Sequence, residues 1–145
     1  MLSPIQLRQH VFTVISIETI EDAGSPEEES YSFDLKFAKP EKHEDLWHSF
    51  LEVSFQPEAE KKARYRGRVA VQGRFQVHPD FDKAKEEDLV KFNSGSLLLA
   101  AIREMVLMLT SRSALGPMEL PTFNPQMFVQ EAAAKQDPKR SSLER

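Results

Sequence analysis

The sequence predicts an α+β domain in which a four-stranded antiparallel sheet carries a long helix and a C-terminal helix on one face. Four segments before residue 78 alternate apolar and polar side chains with the period of two that strands show, and the chain then changes to helical patterning. The length of 145 residues allows one domain with a real core, but not two. We therefore predict a single domain over residues 1–135 and a flexible tail over residues 136–145.

The predicted strands differ in how cleanly their faces separate. The first places most of its apolar side chains at odd positions, whereas the later three, at 31–38, 46–56 and 62–77, each have one apolar face. The odd-numbered set of the first strand is Leu7, Val11, Thr13, Ile15 and Ile17. Between the first two strands, residues 21–30 are acidic and small, which favours a flexible loop whose three consecutive glutamates are solvated.

The helical half begins with a charged stretch. Residues 79–91 predict a loop and a short charged helix, after which Asn93 or Ser94 can cap the main helix to about Ser113. Between Leu97 and Leu109 only one Arg-Glu pair is polar. A helix with water on one side should show a polar stripe, so this helix must be covered on two sides. We expect a second copy of the protein to supply the other cover.

Prolines then interrupt the helical pattern. Gly116-Pro117 and Pro121 stop the main helix and force an extended segment. Asn124-Pro125 fits the cap and first position of a last helix. The extended segment lies next to the apolar helix in sequence and is therefore a candidate groove wall.

Composition and motifs argue against several function classes. The net charge of −4 does not favour nucleic-acid binding, and the chain lacks cysteine, a phosphate-binding glycine loop and any catalytic motif. The N-terminus does not resemble a signal peptide, and the run from Leu97 to Leu109 is too short to span a bilayer. We predict a cytoplasmic, non-enzymatic protein without cofactor or metal, although His43 and His48, with acids nearby, leave a weak metal alternative open.

Apolar and basic side chains supply the candidate binding residues. Methionine and aromatic side chains adapt to irregular partners. The candidates for a polypeptide-binding groove are Trp47, Met105, Met108, Met118, Leu120 and Phe123. On the fourth strand, Lys62, Arg64, Arg66 and Arg68 share one parity. This basic stripe is either a solvated face with partners such as Asp34 and Glu52, or a docking surface for an acidic partner.

Two sequence motifs mark the helical half of the chain. The main helix has an Arg-Glu pair (103–104) and, eight positions later, a Ser-Arg pair (111–112), and the last helix opens on a Pro-x-x-x-x-x-apolar-Phe pattern from Pro121 to Phe128. With these motifs the second half of the chain resembles SecB, the tetrameric export chaperone, and its SecB-like relatives. Residues 71–75, VQGRF, resemble the family's Gln-Gly-Gly-x-Phe strand, and the order of four strands and two helices also agrees.

The resemblance implies a homo-oligomer, a dimer of dimers, whose main helices are sandwiched between sheets. It also implies an ATP-independent holdase that binds unfolded or nascent polypeptides in hydrophobic grooves, with a possible role in protein export and no insertion into the membrane. Family members dock the SecA motor through acids on the sheet face. Here Glu18 is retained, while the other two positions fall at Val14 and Arg68.

The departures favour a divergent member of the family. Leu99, Ala100 and Ala101 replace the family's aromatic and proline residues at the start of the main helix, and the crossover is shorter. The charge reversal at Arg68 puts SecA binding in doubt, because it would lower association rate and specificity. Such a protein can be dedicated to one client, for example an antitoxin. Two alternatives stay open: a small-molecule-binding or enzymatic α+β domain with a closed pocket, and an adaptor that docks through Arg64, Arg66 and Arg68.

Overall fold

The computed structural model describes residues 1–21 and 24–128. It consists of β1 (Ile5–Thr19), a 3-10 turn (Pro26–Glu28), β2 (Tyr31–His43), β3 (Leu46–Pro57), β4 (Tyr65–Val77) and α1 (Lys83–Thr110). Residues 126–128 are helical at the end of the described chain. The predicted domain boundary at 135 and the predicted tail lie outside the described residues.

The sheet is antiparallel with strand order β1-β4-β3-β2, so β1 and β2 are its edges. The predicted faces of β3 and β4 are confirmed, because their inward side chains are buried. These core residues are Trp47, Leu51, Val53, Phe55, Tyr65, Val69, Val71 and Phe75. The four-stranded sheet with helices on one face is therefore the fold of this chain.

The predicted face of β1 is wrong in part. Two register shifts, between Leu7 and Gln9 and between Phe12 and Val14, each insert an extra residue and reverse the alternation. As a result Phe12 packs against the core, whereas Val11 turns to the outer face and is 51% exposed. The odd-numbered face predicted for β1 requires an unbroken pleat, and the two bulges interrupt it.

The main helix is longer than predicted. It starts at Lys83, where the Asp82 side chain accepts a hydrogen bond from the backbone N–H of Ala84 at 3.0 Å. The predicted caps at Asn93 and Ser94 are wrong, because Asn93 donates its side-chain amide to the Leu89 carbonyl within the helix and Ser94 is buried. The charged stretch and the apolar run are therefore one helix.

By length and composition α1 is apolar enough to cross a membrane. Its buried face, however, packs on the sheet and chiefly on β4 and β3. Val90, Leu98, Leu99, Ile102 and Val106 form this face. We therefore interpret α1 as the core helix of the domain.

Gly95 lies in the interior of α1 at a close approach to another side chain. A Cβ at this position would lie 2.4–2.9 Å from three ring carbons of Phe128, whose ring also contacts Phe37 at a centroid distance of 5.3 Å. Gly95 therefore allows the residues after the extended segment to pack directly on the helix.

This contact predicts that Gly95→Ala destabilises the fold. A gain in helix propensity of roughly 1 kcal/mol should be outweighed by overpacking of about 1–3 kcal/mol against Phe128, as measured by urea unfolding. Ser96→Ala, at the next helix position, is the control and should change the free energy of unfolding by less than about 0.5 kcal/mol. A Gly95→Ala protein that is more stable than wild type would contradict the ring contact.

Candidate functional site

The crossover segment, residues 111–124, runs from the end of α1 to the short helical stretch and forms one wall of the candidate site. Thr110 fixes its first part: the Oγ1 atom donates to the Val106 carbonyl at 2.7 Å and accepts from the Met118 N–H at 2.9 Å. Arg103 fixes a later point by donating from Nε to the Leu120 carbonyl at 3.0 Å. The segment is therefore held against one side of α1.

Half-buried aromatic side chains lie between the crossover segment and the edge strand β2, and we call this candidate surface the aromatic groove. We define it by the half-buried side chains of Tyr31, Phe33, Leu35 and Phe123. The Phe33 and Phe123 rings meet edge to face at 5.5 Å, and the Tyr31 and Phe33 rings are 5.8 Å apart. Because β3 is the only strand paired with β2 in the described sheet, the backbone edge of β2 next to this groove has no strand partner there.

A second apolar surface, the β1–α1 face, lies at the opposite edge of the sheet. Ile15, Met108 and Leu109 are 48%, 49% and 37% exposed, although all three are large and apolar. Ile15, Ile17 and Leu109 line a shallow open cleft there. The described residues therefore leave large aliphatic side chains uncovered at β1.

The groove candidates from the sequence fall into three places. Trp47, Met118 and Leu120 are buried in the core, and Phe123 belongs to the aromatic groove. Met105 and Met108 lie elsewhere on α1. Since each helical residue advances by about 100°, Met105 points away from Arg103 and hence from the crossover segment. The six residues therefore do not form one surface in a single subunit.

Trp47 has a specific structural role. Its indole N–H donates to Glu86 Oε1 at 2.8 Å, and Lys42 Nζ lies 3.0 Å from the same oxygen. The hydrogen bond from Trp47 lowers the pKa of the Glu86 carboxyl, and Lys42 lowers it further. Burial of the carboxyl acts in the opposite direction but does not outweigh them. Trp47 thus ties β3 to the first turn of α1.

The docking candidates do not form the predicted stripe. Arg66 and Arg68 are exposed on the outer face of β4, where Arg66 is in register with Glu18 on β1. Neither arginine has an ion pair with a carboxylate among residues 1–21 and 24–128. Arg64 precedes β4 and is buried, so its predicted place in an exposed basic stripe is wrong.

Arg64 and Glu29 form a buried ion pair that the sequence did not indicate. Their side chains are only 8% and 12% exposed, and Arg64 donates from Nη2 to Glu29 Oε1 at 2.7 Å and from Nε to Oε2 at 3.0 Å. The predicted solvation of all three loop glutamates is therefore wrong for Glu29. Nothing in the sequence separates it from the exposed Glu27, since the pairing depends on a contact between distant segments.

The charge state of Glu29 follows from this contact. Burial raises the pKa of the Glu29 carboxyl, but hydrogen bonds from the Arg64 side chain and backbone, and from the Tyr31 hydroxyl, outweigh it and lower the pKa overall. The carboxyl is therefore ionised at neutral pH, as an ion pair with Arg64 requires.

The two sequence-predicted histidines are neighbours on the outer sheet face. The rings of His43 and His48 are 5.4 Å apart, and His43 Nε2 lies 3.6 Å from Glu41 Oε2 at an exposed position. No group of three or more His, Cys, Asp or Glu side chains suited to a metal ion occurs among the described residues.

The lowered pKa of Glu29 predicts a pH-dependent contribution to stability. A carboxyl whose pKa is lower in the folded than in the unfolded chain stabilises the fold above the unfolded value, and this stabilisation is lost as pH falls through the folded pKa. Urea unfolding of the wild type should therefore show a loss of stability as pH drops below the ordinary carboxyl value of 4.5.

Glu29→Gln should remove this component and cost about 3 kcal/mol at pH 7, because it leaves the Arg64 charge buried without a counterion. Glu27→Gln, an exposed change in the same loop, is the matched control and should leave the profile unaltered. An acid-dependent loss that is equal in wild type and Glu29→Gln would show that another carboxyl is responsible.

Comparisons with known proteins identify the type of fold. No protein-family model and no curated protein matches the chain. Among solved structures, the chain is similar to the SecB-like chaperone of Mycobacterium tuberculosis in complex with a ChAD peptide from an antitoxin, with a TM-score of 0.54 and 19% identity over 83% of this chain and 91% of that one. It also matches a protein of unknown function from Streptococcus agalactiae with a TM-score of 0.46 and 13% identity, over 81% of this chain and 97% of that one. The chain therefore has a SecB-like fold.

Proposed function

We propose that this protein is a polypeptide-binding chaperone that holds unfolded segments in the aromatic groove without ATP. The observation that carries the proposal is the set of half-buried aromatic side chains beside β2, whose outer side has no strand partner among the described residues. The SecB-like fold supports it, since the M. tuberculosis neighbour of that fold is a chaperone in complex with a peptide. Protein export and SecA binding are not needed for this function.

The groove fits an extended chain better than a folded protein. A client strand laid along β2 could pair with its outer backbone edge while alternate side chains pack on the Phe33 and Phe123 rings. Burying one Leu or Phe side chain there contributes about 1.5–3 kcal/mol, which must offset the loss of client freedom. Several anchors along one client are therefore required for tight binding.

The charges on the outer face favour a dedicated client over general export. Of the three acidic positions that the resemblance assigns to SecA docking, only Glu18 is acidic here, and its neighbour across the ladder is Arg66. We therefore propose a chaperone with a narrow client range, such as one antitoxin.

Two alternative functions remain to be compared with this one. An adaptor could still dock through the exposed Arg66 and Arg68. The small-molecule alternative is disfavoured because the clefts in the described part of the chain are open.

The β1–α1 face supports a homo-oligomer. Its exposed aliphatic side chains, Ile15, Met108 and Leu109, would be covered by a second copy of the chain. This arrangement supplies the second cover that the apolar run of α1 predicts, and a dimer of dimers is the assembly we propose. The location in the cytoplasm stays a prediction.

The proposed function predicts that Phe123→Ala weakens binding of an extended peptide about tenfold, because it removes one apolar anchor of about 1.5 kcal/mol. Binding is measured by fluorescence anisotropy with a labelled peptide rich in Leu and Phe, with and without ATP. Phe92→Ala removes a ring on α1 that is 51% exposed and lines a separate cleft with Phe81 and Leu89, and serves as the matched control. A folded wild-type protein that binds no unfolded polypeptide would refute the function.

The proposed assembly predicts that Ile15→Asp lowers the solution mass measured by light scattering, because it places a charge in the apolar interface. Val11→Asp is the control: Val11 is equally exposed on β1 but lies on the outer face of the sheet. If both variants keep the wild-type mass, or if the wild type is a monomer, the β1–α1 face does not join subunits.

A further inference from the structure

Three consecutive carbonyl groups of the crossover segment are bound by side chains from the start of β4. Arg64 donates from Nη1 to the Leu115 carbonyl at 2.7 Å and from Nη2 to the Pro117 carbonyl at 3.1 Å. The Tyr65 hydroxyl donates to the Gly116 carbonyl between them. Gly116 has a φ of +87°, so the chain turns here in a conformation that favours glycine. The turn is thus fixed by side chains where it departs from regular structure.

Glu29 fixes the guanidinium that holds this turn. Besides its two side-chain bonds to Arg64, Glu29 Oε2 accepts from the Arg64 backbone N–H at 3.1 Å. The planar guanidinium therefore uses one edge for the carboxylate and its remaining donors for the two carbonyls. Lysine carries all its donors on one nitrogen atom, so it cannot bind the carboxylate and the two carbonyls in separate directions.

The same network contacts the opposite side of the aromatic groove. The Tyr31 hydroxyl donates to Glu29 Oε2 at 3.0 Å and accepts from the Tyr65 backbone N–H at 3.3 Å. Tyr31 is itself a groove residue, and its ring packs edge to face on Phe55 at 6.1 Å. The network therefore joins β2, which forms one wall of the groove, to the crossover segment, which forms the other.

We propose that Glu29, Arg64 and Tyr65 form a clamp that sets the position of the crossover segment and hence the width of the aromatic groove. The affinity for polypeptide then depends on Arg64 and Glu29, two residues that do not line the groove. This inference rests on the proposed function. Burying an ion pair gives little net stability compared with apolar packing of similar size, so the specific geometry is what the pair contributes.

Hydrogen–deuterium exchange and peptide binding together test the clamp. Arg64→Lys retains a cation for Glu29 but loses separate bonds to the Leu115 and Pro117 carbonyls. We expect the amides of residues 115, 116 and 118–120 to exchange about five- to tenfold faster, as the loss of one or two hydrogen bonds implies, and peptide affinity to fall by a similar factor. Exchange in the sheet core should not change. Arg66→Lys, at an exposed position two residues away on β4, is the matched control.

Tyr65→Phe provides a second variant that retains the buried ring. It removes only the bond to the Gly116 carbonyl and should accelerate exchange in the same amides by a smaller factor. The clamp would be overturned if both variants exchanged at wild-type rates, or if exchange became faster throughout the sheet. It would also be overturned if folded Arg64→Lys protein bound peptide with wild-type affinity. A wild-type protein that binds no peptide would instead overturn the proposed function, and exchange would still decide whether the clamp fixes the segment.

Discussion

A single helix has to cover one face of a four-stranded sheet, and this constraint determines where the binding surfaces lie. Four strands spaced by about 4.8 Å place the two edge strands about 14 Å apart, whereas a helix with its side chains is roughly 10 Å wide. The helix packs mainly on the two central strands, β4 and β3. Apolar side chains on both edge strands therefore need another cover. The crossover segment covers part of β2, whereas no described residue gives β1 a comparable cover.

The crossover segment meets a different constraint, since it is neither helix nor strand. Two prolines and a glycine with positive φ prevent regular backbone pairing, yet the carbonyls that face the protein need donors. Arg64, Tyr65 and Arg103 supply those donors, while Thr110 accepts from the Met118 N–H. Fixing an irregular chain in this way requires side chains with directional bonds, which apolar packing alone does not provide. The buried charge of Arg64 then requires Glu29 close by.

Local patterns predicted the regular elements of this fold well and the contacts between distant segments poorly. Alternation located the strands because one face of β3 and β4 is buried along its length. The bulges of β1 have no local signal, so odd-even parity places Val11 on the wrong face. Cap chemistry misleads at the start of α1, because Asn93 and Ser94 have side chains typical of caps but occupy helix interior positions. Arg64 resembles Arg66 and Arg68 in sequence and differs in its contacts with distant segments, with Glu29 35 residues before it and with the crossover carbonyls after it.

The two edges of the sheet differ in chemistry, and that difference supports different occupants. The exposed large side chains of the β1–α1 face are aliphatic or methionine. A surface of this kind suits a permanent, shape-matched contact such as a second copy. The aromatic groove combines rings with the Tyr31 hydroxyl and the outer edge of β2, which has no strand partner in the described sheet. Aromatic rings accept varied side chains, and backbone pairing is independent of sequence. Under the proposed function, the β2 edge therefore receives the extended polypeptide, and the network of Glu29, Arg64 and Tyr65 ties its two walls together.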